Sequence, residues 1–283
     1  MCENAVNARV PVAVPGARGS SPLLKKVAGA VAATAALGAA TAAYGHFIEL
    51  NNFQLRTESL PVLPAGSPDF RILHISDMHM IPGQQKKIDF MHSLAALEPD
   101  LVMNTGDNLS HVDGMGPLLE ALDPLMDFPG VFVPGSNCYF APVFKNPARY
   151  LWQPRTPQMI EEGSRVALPI ERMHEAFESR GWTGLVNRYD TLNLKGLRLE
   201  FSGVDDPHLR YDEHPGFAPG AFDEGQEPSV RIGVAHAPYM RTLHRFVQDG
   251  AQAIFAGHTH GGQVCLPGGH ALVSNCDLPP SRA

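Results

Sequence analysis

Short apolar runs recur along the second part of the chain, and each is followed at once by a polar stretch. The runs are Phe70–Ile75, Leu101–Met103, Val131–Val133, Ile232–Ala235 and Ala253–Phe255. Apolar runs of this length, bounded by Gly, Asp, Asn or His, are typical of buried strands. Apolar residues at helical spacing predict helices over Lys86–Leu97, Leu118–Met126 and Pro169–Arg180. The alternation of strands and helices predicts the α/β class, a sandwich with its site at one edge of the sheets.

The N-terminal part of the chain has a different pattern. Residues 27–48 contain no Asp, Glu, Lys or Arg, and a segment of this length can cross a bilayer. The basic residues upstream predict that residues 1–26 are cytoplasmic and that the rest of the chain lies beyond the membrane. Two alternatives stay open, because Ala40-Thr41-Ala42 suits a cleaved export signal and the high Ala, Gly and Thr content suits a helix packed on soluble protein.

Residues 49–68 connect this segment to a predicted catalytic domain at 69–283. Apolar positions over residues 49–63 predict a strand, and the sequence from Pro64 to Pro68 predicts a turn. At the other end, Ala271–Ser274 is predicted as the last strand. Since few residues follow it, the C-terminal edge of the domain is expected to be truncated.

The polar stretches after the apolar runs contain residue types that commonly bind divalent metals. They are Asp77-Met78-His79, Gly106-Asp107-Asn108, Gly135-Ser136-Asn137, His236 and Gly257-His258-Thr259-His260-Gly261-Gly262. In extended backbone, residues i and i+2 point to the same side, so Asp77 with His79, and His258 with His260, can each face one ion. Carboxylate oxygen and neutral imidazole nitrogen bind Zn, Mn or Fe. The five stretches together predict the ligand set of a two-metal hydrolase.

The order of these motifs, Asp-x-His, Gly-Asp-Asn, Gly-Ser-Asn, His and Gly-His-x-His, resembles that of the calcineurin-like metallophosphoesterase superfamily from about Phe70 to Gln263. The stretches Leu73–His79 and Gly257–Gln263 are most similar to a membrane-associated branch of bacterial phosphodiesterases and lipid-linked pyrophosphatases. The resemblance implies two packed mixed β-sheets flanked by helices, here preceded by a transmembrane helix.

The resemblance also implies a role for each side chain at two divalent ions, which could be Mn, Fe, Zn or Ni. One ion would be bound by Asp77, His79 and His260, and the other by Asn137 (or Ser136), His236 and His258. Asp107 would bridge the two ions. Asp107, Asn137 and His236 are the residues that the resemblance implicates in catalysis. A hydroxide held between the ions would attack phosphorus in this family's reaction.

One motif departs from the family pattern. Where Gly-Asn-His followed by Asp or Glu is common, this chain has Gly135-Ser136-Asn137-Cys138. Strict register makes Ser136 a ligand, whereas a shift by one residue makes the amide oxygen of Asn137 the ligand, which we favour. Both registers remove a histidine that can protonate the leaving group, so a diester or pyrophosphate with a good leaving group is expected.

Other side chains near the motifs allow more than one interpretation. A buried structural thiol is favoured for Cys138 over a metal ligand or a redox-sensitive group. His74 is expected to lie in the core or behind the ligands. His111 could replace the missing acid but is expected to face solvent, and Asp205-Asp206-Pro207-His208 is first of all a predicted turn.

The segment from Tyr139 to Ala167 is rich in proline, aromatic and basic residues. It is interpreted either as a binding loop over the site or as a structural cover on the sheet edge. In the first case, Lys145, Arg149, Arg155 and Arg165 could meet a second phosphate.

Two functions from different classes remain. The first is a membrane-anchored phosphohydrolase acting on a phosphodiester or pyrophosphate bond of a lipid- or nucleotide-linked substrate. The second is a membrane-tethered metal-binding protein of the same fold without turnover. The full set of Asp and His ligands favours the enzyme. The formal net charge of −7 argues against nucleic acid as a partner, since proteins that bind it present basic surfaces.

Overall fold

The computed structural model describes residues 22–143, 165–219, 229–262, 264–266 and 270–282. The chain divides into two compact units, Met1–Gln54 and Leu55–Ala283. Most of the basic and aromatic loop predicted over Tyr139–Ala167 lies outside the described residues.

The first unit is built on one long helix, α1, at Pro22–Phe47, followed by a 3-10 turn at Glu49–Asn51. Large apolar residues of this helix are exposed, for example Leu37 at 69% and Phe47 at 72%. The stretch Lys25–Asn51, which includes the whole predicted membrane segment at residues 27–48, is long and apolar enough to cross a bilayer. This is a property of length and composition only.

The prediction of a strand over residues 49–63 is wrong. After the 3-10 turn at Glu49–Asn51, the chain runs to Arg71 without entering a strand. Pro61 and Pro64 have no N–H to donate to a ladder, which explains why the alternating pattern does not pair. Val62 and Leu63 instead pack against the side of the main core.

Within the residues that the structure describes, the second unit contains the remaining helices and every strand. Its strands are β1 Ile72–Ile75, β2 Leu101–Asn104, β3 Gly130–Phe132, β4 Thr183–Gly184, β5 Arg188–Leu194, β6 Leu197–Gly203, β7 Ser229–Val234, β8 Ala253–Phe255, β9 Val264–Leu266 and β10 His270–Val273. Its helices are α2 Gln85–Ser93, α3 Met115–Leu122, α4 Ser136–Tyr139, α5 Ile170–Ser179 and α6 Met240–Gln248, with 3-10 turns at Leu94–Leu97 and Asp123–Leu125. Apart from the strand expected over residues 49–63, the predicted strands and helices are therefore present, with ends shifted by a few residues.

Two four-stranded sheets form the centre of this unit. The first has the order β1-β2-β3-β4 and is parallel throughout. The second has the order β5-β6-β7-β8, in which only the β5–β6 pair is antiparallel. Lys195 and Gly196, both with positive φ, make the tight turn of that hairpin.

The sheets pack face to face and bury the main core between them. Met103 and Val131 of the first sheet share one apolar cluster with Phe201 and Ile232 of the second. Helices α2, α3 and α5 cover the outer face of the first sheet, and α6 covers the outer face of the second. The prediction of an α/β sandwich of two packed sheets flanked by helices is confirmed in this helix–sheet–sheet–helix arrangement. The expectation that both sheets are mixed is wrong for the first sheet, because longer crossover connections join its strands and all of them run parallel.

The C-terminal strand does not extend either large sheet. β10 pairs antiparallel with β9 in a separate two-stranded sheet. Beyond it, Cys276 and Leu278 pack against Ala237 and Tyr239, close to the β7 end. The last described residues therefore cover the loop that follows β7.

The fit of α6 on the second sheet provides a test of the core. Phe246 is fully buried and lies directly over Gly233 of β7, where a Cβ would be 2.7 Å from its ring. Phe246→Ala should lower the free energy of unfolding by about 3–5 kcal/mol. Its neighbour Val247 is 60% exposed, so Val247→Ala should change the free energy of unfolding by less than about 0.5 kcal/mol. Urea unfolding of both variants checks this, and equal effects would contradict the described packing.

Candidate metal centre

The ends of five parallel strands bring the predicted ligands to one edge of the two sheets. In the first sheet, β1, β2 and β3 each end just before predicted ligands. In the second sheet, β7 and β8 do the same. Because the carboxyl ends of parallel strands meet at one edge, residues far apart in sequence become neighbours. The structure brings all seven predicted ligands together: Asp77, His79, Asp107, Asn137, His236, His258 and His260.

The first group of side chains consists of Asp77, His79 and His260. Nε2 of His260 lies 3.3 Å from Oδ1 of Asp77 and 3.4 Å from Nε2 of His79. The two imidazole rings are stacked, with centroids 5.3 Å apart. Three potential ligand atoms therefore surround one point near the surface.

The second group consists of Asp107, His236 and His258, and all three are buried. Nε2 of His236 lies 3.3 Å from Oδ2 of Asp107 and 3.2 Å from Nδ1 of His258. A second point, deeper in the structure, is thus surrounded by two imidazoles and a carboxylate.

Asp107 lies between the two groups. Its Oδ2 is 3.3 Å from His236 and 3.8 Å from His79, so one carboxylate oxygen faces a member of each group. Asn137 contacts the same carboxylate, with its Nδ2 2.7 Å from Oδ2 and its backbone N 2.7 Å from Oδ1. Among the described residues it is Asn137, and not Ser136, that hydrogen-bonds to Asp107.

Hydrogen bonds behind the ligands fix their orientation. Nδ1 of His236 lies 2.7 Å from the carbonyl of Thr105. A carbonyl only accepts, so Nδ1 carries the hydrogen, and in the neutral ring Nε2 keeps its lone pair for a metal. Ser76 donates to Oδ2 of Asp77 at 2.6 Å and the backbone N of His258 to the same atom at 2.9 Å. Oδ1 of Asp77 is thereby directed toward the cluster.

The backbone is strained where the ligands lie. Five of the seven have positive φ: Asp77 at 54°, His79 at 46°, Asp107 at 51°, His258 at 71° and His260 at 53°. Such backbone costs a residue with a Cβ about 1–3 kcal/mol and tends to occur at functional sites. The turns direct these side chains into the cluster instead of along the sheet edge.

The electrostatics of the cluster suit bound cations. Burial opposes ionisation of Asp77 and Asp107, yet neighbouring imidazoles outweigh it and hold both carboxyl pKa values below their usual range. Burial also opposes charging of His236, but the Asp107 and Asp77 carboxylates raise its pKa to about 10. The cluster therefore stabilises positive charge at its centre.

Unpaired polar atoms provide a further test of whether divalent metals fit. The buried atoms without a hydrogen bond include two that belong to predicted ligands, Oδ1 of Asp77 and Nε2 of His258. Buried polar atoms are normally paired, and Asp77 Oδ1 faces the imidazoles of the first group. Carboxylate and imidazole donors match Mn, Fe and Zn, so the residues present fit two divalent ions.

Comparison with known proteins agrees with this geometry. The calcineurin-like phosphoesterase family matches residues 70–262, more than half of the chain. The chain belongs to the calcineurin-like phosphoesterase family. It is also similar to the uncharacterized protein YpbG of Bacillus subtilis (strain 168), with 27% identity over 215 residues, which cover 74% of this chain and 69% of that protein. The calcineurin-like family implies metal-dependent hydrolysis of phosphoesters.

In this member of the calcineurin-like family, Cys138 belongs to the core. Its thiol is fully buried and lies 3.5 Å from the backbone N of Asn108. Burial, together with the charge of Asp107, raises its pKa to about 12, so it stays protonated and unreactive. The interpretation of Cys138 as a structural thiol is the one that agrees with the structure.

The remaining histidines occupy different places. His74 bonds to Thr105 Oγ1 at 2.8 Å, behind the cluster. The side chain of His111 is 50% exposed beside Asp113, which agrees with a loop residue facing solvent. His208 lies against His258, with ring centroids 4.8 Å apart. His208 ends the predicted turn Asp205-Asp206-Pro207-His208, and none of the metal-ligand motifs in the sequence includes it.

Gly135 offers a direct test of the packing between the sheets. A Cβ there would collide with the Asp107 carboxylate and the His236 ring. Gly135→Ala should therefore displace both side chains and lower metal-dependent activity by roughly 10²-fold, the effect of moving a catalytic group by about 1 Å. Gly116 lies in α3 with open space around it, so Gly116→Ala is the matched control.

Metal content by mass spectrometry and hydrolysis by the full chain are the measurements for these glycine variants. Metal loss is expected only in Gly135→Ala. Normal metal content and activity in that variant would contradict the close approach of Asp107 and His236 to Gly135.

Proposed function

We propose that this protein is a two-metal phosphohydrolase that cleaves a phosphodiester or pyrophosphate bond of a lipid- or nucleotide-linked substrate. Family membership already implies metal-dependent phosphoester hydrolysis. The observation that carries the finer proposal is the sharing of Asp107 by two groups of ligand side chains. A single-metal site would not need a carboxylate that faces both groups.

Each ligand has a proposed place. Asp77, His79 and His260 would hold one ion, and Asn137, His236 and His258 the other, with Asp107 between them. The Asn137 amide already lies against Asp107. Rotation by half a turn about its terminal bond would exchange its nitrogen and oxygen and present the oxygen as a ligand.

The reaction needs both the ions and the residues that position them. Two ions bound at such a site neutralise phosphoryl oxygens and activate water as a nucleophile. The hydroxyls of Ser76 and Ser110 and the backbone carbonyl of Thr105 hold ligands in fixed orientations. The second group is buried, so it excludes bulk water from one side of the reacting phosphate.

The preference for a diester or pyrophosphate rests on the Gly135-Ser136-Asn137-Cys138 stretch. In the register that assigns Asn137 as the ligand, the residue after it is Cys138 in place of the usual histidine, and its buried thiol cannot reach a leaving group. Substrates with stable leaving groups need the least protonation. A nucleotide or lipid phosphate is such a leaving group.

We also propose that α1 anchors the protein in a membrane with a single span and that the catalytic domain lies outside the cytoplasm. The length and apolar composition of Lys25–Asn51 support the span. The basic residues before the uncharged segment at residues 27–48, among them Lys25 and Lys26, support the orientation.

Removal of metal or of Asp107 tests the two-metal proposal. The full chain should hydrolyse bis-p-nitrophenyl phosphate and a UDP-sugar faster than p-nitrophenyl phosphate when Mn²⁺ is present. Chelation should abolish all three activities and added Mn²⁺ should restore them. Asp107→Ala should lower turnover by at least roughly 10³-fold, because both groups lose their shared ligand.

More than a few per cent of activity in Asp107→Ala would contradict the bridging role. Metal binding without hydrolysis of any substrate by the wild type would instead favour a membrane-tethered metal-binding protein. Preference for the monoester would contradict the proposed substrate class alone.

Variants of Ser136 and Asn137 decide which of these two side chains is a ligand of the second ion. Asn137→Ala should lower the metal content toward one ion per chain, because it removes a ligand of the second ion. Ser136→Ala should leave two ions bound. Mass spectrometry of the purified proteins measures both, and the reverse result would assign Ser136 as the ligand.

A further inference from the structure

His208 is a histidine at the metal centre that is not part of the ligand set. Its ring packs against the ring of His258 with centroids 4.8 Å apart. The residue is half-buried beside the second group of ligands. It lies on the loop after β6, in the second sheet, whereas the histidine missing from the Gly135–Cys138 stretch would lie in the first.

The loop that carries His208 is held by several independent contacts. The buried carboxylate of Asp206 accepts hydrogen bonds from the backbone N of His208 at 3.0 Å and of Leu209 at 3.1 Å. Arg241 of α6 donates to the carbonyl of Pro207 at 2.8 Å and pairs with Asp212. A side chain held in this way is preorganised, which is expected of a group that meets a substrate.

The imidazole itself is oriented by a tyrosine. Nδ1 of His208 lies 3.0 Å from the hydroxyl of Tyr239. Tyr239 follows His236 by three residues and packs against the C-terminal segment through Cys276. The guanidinium of Arg241 lies 5.1 Å from the Tyr239 ring, so the same arginine fixes both the tyrosine and the loop.

We propose that Tyr239 donates its hydroxyl hydrogen to Nδ1 of His208, so that Nε2 of His208 carries a hydrogen and donates it in a hydrogen bond to the leaving-group oxygen of the substrate. This inference rests on the proposed phosphohydrolase function. The ring provides a neutral donor where negative charge develops as the phosphorus–oxygen bond breaks. His208 would then supply, from the second sheet, the contact that Cys138 and its neighbours do not provide.

The proposal predicts a dependence on the leaving group. A donor to the leaving oxygen matters more as that oxygen becomes more basic. His208→Ala should therefore lower kcat by roughly 10²–10³-fold for phenyl methyl phosphate, and by about tenfold or less for p-nitrophenyl methyl phosphate. His208→Gln, whose amide N–H reaches about as far as Nε2, should recover part of the loss with the poorer leaving group.

Two further variants complete the test. Tyr239→Phe removes the hydroxyl that orients the ring and should produce a smaller change in the same direction. His111→Ala alters the exposed loop histidine beside Asp113 and should leave both rates unchanged. Circular dichroism and metal content are measured for every variant, and both should match the wild type.

The outcomes are separable. If the wild-type protein shows no metal-dependent hydrolysis, the proposed function and this inference are both overturned. An active wild type with the same leaving-group dependence in His208→Ala would overturn this inference only. Loss of metal in His208→Ala would overturn it as well, because His208 would then act as a ligand and not as a partner of the substrate.

Discussion

The crowding of carboxylates and imidazoles around Asp107 is the interaction on which the rest of the molecule depends. Asp107 is buried at the end of β2 and its carboxylate faces both His79 and His236. Such a group is stable in the interior only when positive charge or hydrogen bonds compensate it. The imidazoles provide this compensation here, and two divalent cations would do so more fully. The two sheets must pack closely for these side chains to meet, since Asp107 comes from one sheet and His236 from the other.

The fold supplies that close approach with small residues and strained turns. Gly135 leaves room for Asp107 and His236, and Gly257 leaves room for Ser76 and Asp77. The positive φ values of the ligands cost stability locally. The apolar core between the sheets, with residues such as Phe201 and Ile232, offsets that cost through burial. The site and the core are therefore linked, because loosening the core would allow the turns to relax.

Most of the fold could be predicted because its signals are local. The buried strands β1, β2, β3, β7 and β8 are continuous apolar runs, and the helices have clear apolar spacing. The exception was the strand over residues 49–63, where prolines interrupt an alternating pattern and no neighbouring strand pairs with it. Alternation indicates which face is buried, but a strand also needs a partner, and a partner is a property of the tertiary structure.

The amino-acid sequence by itself determined which residues could bind metals, because Asp and His after apolar runs are chemically distinct and their order matches the calcineurin-like family. Only the tertiary structure decided which of them meet and what surrounds them. Asn137 contacts Asp107 and His208 contacts His258, and the residues of each pair are distant in sequence. The burial of Cys138 depends on backbone angles that the sequence does not reveal. The order of strands within each sheet and the packing of helices on the first sheet fixed these positions, and no local pattern encodes them.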